Sequence, residues 1–148
     1  MTNHIIAQAA DTIHVPAATL YTLLADPQLH AQFQDKPFYD FRIEKNVKGA
    51  DAIVSFKIDF ASGTINFRMV VSEPEPGRKI VWTDTNETGL VTTYTITNQG
   101  DQSHLEISSE WNGQDGVIGM LEKIISPVRM KSVYKKELSR INDYVQHA

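Results

Sequence analysis

The stretch IHVPAATLYTLLADP, residues 13–27, predicts how the first elements of the fold are arranged. Its first residues end a strand, and Pro16 then favours the first turn of a helix, where its missing N–H needs no partner. Three leucines give that helix one apolar side. Asp26 and Pro27 provide the N-cap and the first residue of a second helix. The stretch therefore predicts a strand followed by two short helices that meet at a corner.

Residues 38–111 change to a period of two, which is typical of strands with one wet face. In AIVSFKIDF (52–60) and TINFRMVV (64–71), apolar and polar side chains alternate. Glycine-containing turns separate such runs at intervals of about ten to fifteen residues, which leaves no room for crossover helices. The pattern predicts about six consecutive antiparallel strands, and about seven with the first strand.

Residues 117–145 return to a helical period, with an apolar stripe on one side. The stripe changes phase at Pro127, which removes a backbone hydrogen bond and bends or restarts a helix. The spacing predicts a long C-terminal helix that is bent or broken near Ser126 and Pro127.

These elements predict an α+β domain in which the sheet curves around the C-terminal helix, and residues 1–148 are expected to form this single domain. A sheet with one apolar face has to bury that face. One helix of about 10–12 Å diameter leaves part of a strongly twisted sheet uncovered. We therefore expect a cavity between sheet and helix, closed at one end by the two short helices.

Apolar and aromatic side chains on the inward parity are the expected wall of this cavity. The candidate ligand-binding residues are Phe33, Phe56, Ile58, Phe60, Phe67, Met69, Trp82, Tyr94, Ile107, Trp111, Leu121, Ile125 and Tyr134. Large aromatic side chains supply contact area with few rotatable bonds, which suits a binding site. The same pattern is also typical of a filled core, and a residue of the wall belongs to the core as well.

Composition and charge restrict the classes of function. The net charge of −4 argues against nucleic acid or an anionic membrane as the main partner. The absence of cysteine excludes disulfides and zinc–thiolate sites and fits a reducing cytoplasm. No signal peptide or apolar run of about 20 residues is found. We expect a cytoplasmic protein, and its oligomeric state is open between monomer and homodimer.

The sequence contains no motif of a nucleophilic hydrolase, a phosphate-binding loop or a metalloprotease. Its histidines are scattered without the short spacing of a metal site, so structural or surface roles are expected for them. The histidines are His4, His14, His30, His104 and His147. Neither a metal nor a cofactor is expected.

Three residues are candidates for catalysis: Asp84, Tyr94 and Tyr134. A carboxylate in an apolar pocket has a raised pKa and can act as general acid or base. A tyrosine hydroxyl can donate to a carbonyl oxygen. The alternative for Asp84 is a position at a strand end that faces water. The charged residues of the strands fall on the wet face, and this scarcity of inward charge favours binding over catalysis.

The C-terminal helix carries six basic and three acidic residues, Glu137 among the acidic ones. A solvated face is the usual explanation for such charges. The more specific alternative is that the basic residues make transient contact with an anionic partner or membrane surface during ligand transfer.

Three motifs carry a resemblance that spans essentially the whole chain. They are IHVPAATLYTLLADP with Phe33 seven positions after Asp26, SEPEPGRKIVWTD (72–84), and TTYTITNQGDQSHLEISSEW (92–111), followed by the C-terminal helix. In order and spacing they resemble the START-like or SRPBCC superfamily, and within it the polyketide cyclase/dehydrase and lipid-transport group. The resemblance implies a helix-grip fold and a hydrophobic ligand cavity, but no single activity.

The favoured function is a carrier or sensor that binds a small apolar or lipid-like ligand between the sheet and the C-terminal helix. The first alternative is a cyclase/aromatase or dehydrase-type lyase that uses an inward carboxylate or a tyrosine. The second alternative is a protein-interaction domain of the chaperone-activator type, which predicts a filled core and an exposed apolar patch.

Overall fold

The computed structural model describes residues 4–60, 63–86, 88–111 and 127–147. The strands are β1 His4–Ile13, β2 Tyr39–Lys45, β3 Ile53–Phe60, β4 Gly63–Glu75, β5 Lys79–Asp84, β6 Leu90–Gln99 and β7 Gln102–Trp111. The helices within these ranges are α1 Ala17–Ala25, α2 Pro27–Ala31 and α3 Pro127–His147. The predicted α+β fold with seven strands is confirmed. The bend expected near Ser126 and Pro127 cannot be compared, because Ser126 and the residues directly before it lie outside the described ranges.

The strands form one antiparallel sheet in the order β1–β7–β6–β5–β4–β3–β2. Strands β2 to β7 lie in chain order, as the short turns between them require. The register shifts in the β1–β7, β2–β3 and β4–β5 pairs. Such irregularities bend strands and increase their twist, so they help the sheet to curve around α3.

The corner between α1 and α2 forms where the sequence predicts it. The carboxylate of Asp26 accepts hydrogen bonds from the backbone N–H groups of Gln28 at 3.0 Å and Leu29 at 3.4 Å. Leu20 and Leu24 of α1 are buried. The corner is therefore held by an N-cap on one side and by apolar burial on the other.

Gly49 lies in the middle of the connection between β2 and β3, where two features of the structure favour glycine. Its φ of +77° lies in the left-handed region, and a Cβ at this position would lie 2.6 Å from the carboxylate of Glu73. That carboxylate accepts hydrogen bonds from the Tyr21 hydroxyl at 2.6 Å and the Ala50 backbone N–H at 3.1 Å. These hydrogen bonds of Glu73 join α1 and the β2–β3 connection to β4.

Helix α3 is attached to β1 and to the corner by side-chain hydrogen bonds to backbone carbonyls. Arg140 donates to the carbonyl oxygen of Phe33 at 2.9 Å. Asn142 donates to the carbonyl oxygen of Thr12 at 2.8 Å. These two contacts connect the second half of α3 to β1 and to the segment that follows α2.

The core between α3 and the sheet is rich in aromatic rings. Phe67 lies at its centre, with ring centroids at 5.7 Å from Phe38, 4.9 Å from Phe56 and 6.3 Å from Trp111. Helix α3 contributes a buried stripe that contains Met130, Tyr134, Glu137, Leu138 and Ile141. Among the described residues, no helix is long and apolar enough to cross a membrane.

Candidate functional site

A small cavity of about 20 Å³ lies between the sheet, the segment after α2, and α3. A cavity needs about 10–15 Å³ to hold one water molecule, so this space is water-sized. Its lining residues are Gln34, Phe38, Phe56, Met69, Trp82, Leu90, Thr92, Tyr94 and Tyr134. The lining combines apolar rings with the polar ends of an amide, an indole and three hydroxyl groups, which is the usual composition of a ligand site.

The structure distributes the residues predicted as the cavity wall over two groups. The lining includes Phe56, Met69, Trp82, Tyr94 and Tyr134. The buried residues outside the lining are Phe33, Ile58, Phe67, Ile107 and Trp111. Leu121, Ile125 and the side chain of Phe60 fall outside the described residues.

A buried carboxylate lies next to this cavity, on a residue that the sequence analysis placed among the solvated charges of the C-terminal helix. That interpretation is wrong, because Glu137 is only 1% exposed. Its Oε2 accepts a hydrogen bond from the Tyr94 hydroxyl at 2.9 Å. Gln34 Nε2 lies 3.2 Å from both Glu137 Oε1 and the Tyr94 hydroxyl oxygen. The scarcity of inward charge inferred from the strands therefore does not extend to α3.

The environment of Tyr94 keeps its hydroxyl protonated. Burial raises the pKa of Tyr94 well above its usual value, and the negative charge of Glu137 acts in the same direction. The phenol is thus a neutral hydrogen-bonding group at physiological pH.

A second hydrogen-bonded group in the site consists of the hydroxyls of Tyr134, Ser109 and Thr92. The Tyr134 hydroxyl is hydrogen-bonded to Ser109 Oγ, which in turn lies 3.0 Å from Thr92 Oγ1. Burial raises the pKa of Tyr134 to about 12, although its hydrogen bonds with Ser109 and Thr92 work against this shift.

His30, on α2, is fully buried behind the cavity and was not singled out by the sequence. Its Nδ1 lies 3.1 Å from the carbonyl oxygen of Leu24, and its Nε2 lies 3.5 Å from Glu137 Oε2. The ring centroid is 4.5 Å from those of both Trp82 and Tyr94. Within the described ranges, His30 Nε2 and Trp82 Nε1 are buried without a hydrogen bond.

Both of these residues carry a sequence signal that could have been used. Glu137 follows Tyr134 by three positions and precedes Ile141 by four, which places it on the apolar stripe of α3. His30 lies four residues after the N-cap Asp26, one turn into the short helix that the sequence predicts at one end of the cavity. In each case the position along the helix indicates burial, although the residue type suggests exposure.

Asp84 is the last residue of β5, and it is buried, so it neither faces water nor lines the cavity. Its carboxylate accepts hydrogen bonds from the backbone N–H groups of Arg68 at 3.0 Å, Asn86 at 3.0 Å and Thr88 at 3.2 Å, and from the Thr88 hydroxyl. These bonds organise the turn. In the described part of the chain, no group of three or more His, Asp or Glu side chains is placed to hold a metal ion.

Comparison of the whole fold with solved structures gives matches over nearly the entire chain, although no family model and no curated protein sequence matches. The KanY protein has a TM-score of 0.82 at 19% identity, over 99% of each chain. The Zhui aromatase/cyclase from Streptomyces sp. R1128 has a TM-score of 0.70 at 16% identity, over 97% of this chain and 96% of that one. Norcoclaurine synthase from Thalictrum flavum has a TM-score of 0.64 at 12% identity, over 99% and 88% of the two chains.

At these identities the matches concern the fold. They agree with the observed order of one strand, two short helices, six strands and a C-terminal helix enclosed by a curved antiparallel sheet. The chain therefore has the helix-grip fold, which it shares with these three proteins.

Proposed function

We propose that the protein binds a small, mainly apolar ligand with one polar end in the space between the sheet and α3. The observation that carries this proposal is the lining itself, which combines the apolar side chains of Phe56, Met69 and Trp82 with two tyrosines, Tyr94 and Tyr134. Apolar burial would supply most of the affinity, at about 25 cal/mol per Å² before ordering costs. The polar groups would orient the ligand.

Binding of a ligand larger than water requires the lining to open, because the cavity measures only about 20 Å³. The unpaired indole N–H of Trp82 supports the idea of an added partner, since a buried donor without an acceptor costs about 1–3 kcal/mol. A ligand oxygen next to Trp82 would remove that cost.

The two tryptophans allow a direct test by NMR. Trp82 lines the cavity, whereas Trp111 is buried outside it, and each gives one indole N–H signal. On titration with the neutral dye N-phenyl-1-naphthylamine, we expect saturable binding that shifts the Trp82 signal more than the Trp111 signal. Trp82→Phe and Trp111→Phe assign the two signals. Absence of saturable binding, together with absence of any co-purified molecule in native mass spectrometry, would contradict the proposal.

A second candidate is a cyclase-type enzyme, and the hydrogen bond between Tyr94 and Glu137 favours it. A proton removed from a carbon next to a ketone could pass to the Tyr94 oxygen while the Tyr94 proton passes to Glu137. The structural similarity to an aromatase/cyclase supports this candidate, and Asp84 has no part in it.

Deuterium exchange into 1-tetralone tests proton abstraction without knowledge of the substrate. If the cyclase candidate is right, the protein accelerates exchange at the carbon next to the carbonyl in D₂O, measured by proton NMR. Glu137→Gln should then lower the accelerated rate by about 100-fold or more. Asp84→Asn is the control, with a rate within about twofold of the unmodified protein, provided that circular dichroism shows it folded. No acceleration over buffer, or equal loss in both variants, would exclude this role of Glu137.

The interaction-domain alternative predicts an exposed apolar patch. The exposed large hydrophobic side chains in the described ranges are Tyr39, Val47, Val128 and Tyr144, on separate segments of the chain. This distribution offers the alternative little support. The cytoplasmic location and the transient membrane contact of the C-terminal helix stay predictions.

A further inference from the structure

The hydrogen bonds of His30 restrict the position of one proton in the site. A backbone carbonyl can only accept, so the 3.1 Å contact with Leu24 places a hydrogen on Nδ1 of His30. Its Nε2, on the other side of the ring, lies 3.5 Å from Glu137 Oε2. His30 therefore lies between the backbone of α1 and the carboxylate that accepts from Tyr94.

The hydrogen bond between Tyr94 and Glu137 fixes the orientation of the Tyr94 hydroxyl. The hydroxyl donates to Glu137 Oε2 at 2.9 Å. A tyrosine hydroxyl has one hydrogen, and this bond uses it.

The amide of Gln34 completes this arrangement. Its Nε2 has two hydrogens, and its two contacts at 3.2 Å, with the Tyr94 oxygen and Glu137 Oε1, use both of them. One lone pair of the Tyr94 oxygen is left, next to the cavity that Tyr94 and Gln34 both line. This end of the site thus offers an acceptor from Tyr94, whereas the sequence analysis expected a donor.

We propose that the polar end of the ligand is a hydroxyl of the phenol or enol type, which donates to the Tyr94 oxygen, and that the site discriminates against a ketone carbonyl at this position. The inference rests on the proposed ligand-binding function. A hydroxyl oxygen can also accept from the unpaired N–H of Trp82, whose ring centroid is 6.4 Å from that of Tyr94. Tyr94 would touch the ligand, and Glu137, Gln34 and His30 would act as positioning residues.

The variant Glu137→Gln gives the inference a distinctive test. An amide nitrogen in place of Oε2 can donate to His30 Nε2 and to the Tyr94 oxygen, while the amide oxygen still accepts from Gln34. The Tyr94 hydroxyl is then free to donate to the cavity. The preference should therefore change from a hydroxyl ligand to a carbonyl ligand, which a merely structural effect would not produce.

The experiment compares the dissociation constants of 4-fluorophenol and 4-fluoroacetophenone by fluorine NMR titration. The affinity ratio of Tyr94→Phe, which has no hydroxyl at this position, is the reference. In the unmodified protein, we expect the preference for the phenol over the ketone to be about tenfold higher than in Tyr94→Phe. In Glu137→Gln, we expect this preference to be lower than in Tyr94→Phe. The control is Tyr21→Phe, which removes another hydroxyl bonded to a carboxylate, at 2.6 Å and outside the cavity, and should leave the ratio unchanged.

Three outcomes separate this inference from the proposed function. Equal ratios in the unmodified protein and in Tyr94→Phe would overturn the inference while the binding function stands. A ratio in Glu137→Gln that stays as high as in the unmodified protein would also overturn it. If neither probe binds in any variant, the inference and the proposed binding of small aromatic ligands both fail.

Discussion

Replacement of Phe67 by alanine is expected to lower the free energy of unfolding by about 3–5 kcal/mol. Phe67 is 1% exposed and lies among the rings of Phe38, Phe56 and Trp111, so truncation removes buried area and leaves a void that these rings cannot fill. The change in packing should also affect the candidate site, because Phe56 stacks on Phe67 and lines the cavity. Urea unfolding monitored by circular dichroism measures the change.

The control for this substitution is Val128→Ala, at a side chain that is 80% exposed. A change within about 0.5 kcal/mol is expected there. A loss below about 1 kcal/mol in Phe67→Ala would show that the aromatic core is less tightly packed than the ring distances indicate.

Alkaline pH is expected to destabilise the protein through Tyr94 and Tyr134. Burial raises the pKa of both residues above the usual tyrosine value of 10, that of Tyr134 to about 12. Below pH 10 both phenols are protonated in the folded and unfolded chain, so the full stability is present. Above pH 10 the unfolded chain loses these protons first, and the free energy of unfolding falls by about 1.4 kcal/mol per pH unit for Tyr134 up to about pH 12. Tyr94 adds a loss of the same sign.

Urea unfolding at pH 8, 10 and 11 measures this dependence. The double variant Tyr94→Phe/Tyr134→Phe has no phenol at either position and should show a shallower decrease above pH 10. An equally steep decrease in the double variant would mean that other groups, such as Tyr21, dominate the alkaline transition.

The elements could be predicted from the sequence because their signals are local. Alternation in residues 52–60 and 64–71 is a period that only strands use, and the glycine of each turn marks where a strand ends. Asp26 followed by Pro27 likewise predicts the start of α2 from two adjacent residues. Such features depend on the backbone conformation of a few neighbours.

The candidate site could be predicted only in part because it depends on distances between elements. Alternation shows that Phe67 and Trp111 point inward, but not that they pack on each other and on other rings rather than line the cavity. Glu137 reaches Tyr94 across 43 positions of the chain, and its charge was taken as a sign of exposure. Whether an inward residue lines a cavity or fills it depends on its partners from other strands and helices.

Helix α3 holds the site carboxylate and its own attachment points within six residues, from Glu137 to Asn142. One residue added to or deleted from α3 before Glu137 would rotate Glu137 by about 100° relative to the earlier turns of the helix. Arg140 and Asn142 would rotate with it, because they follow it on the same helix. The chain before Glu137 can therefore change in length only where Arg140 still reaches the carbonyl of Phe33 and Asn142 still reaches that of Thr12. Divergent or redesigned descendants of this protein would retain or lose the helix anchors and the chemistry of the site as one unit.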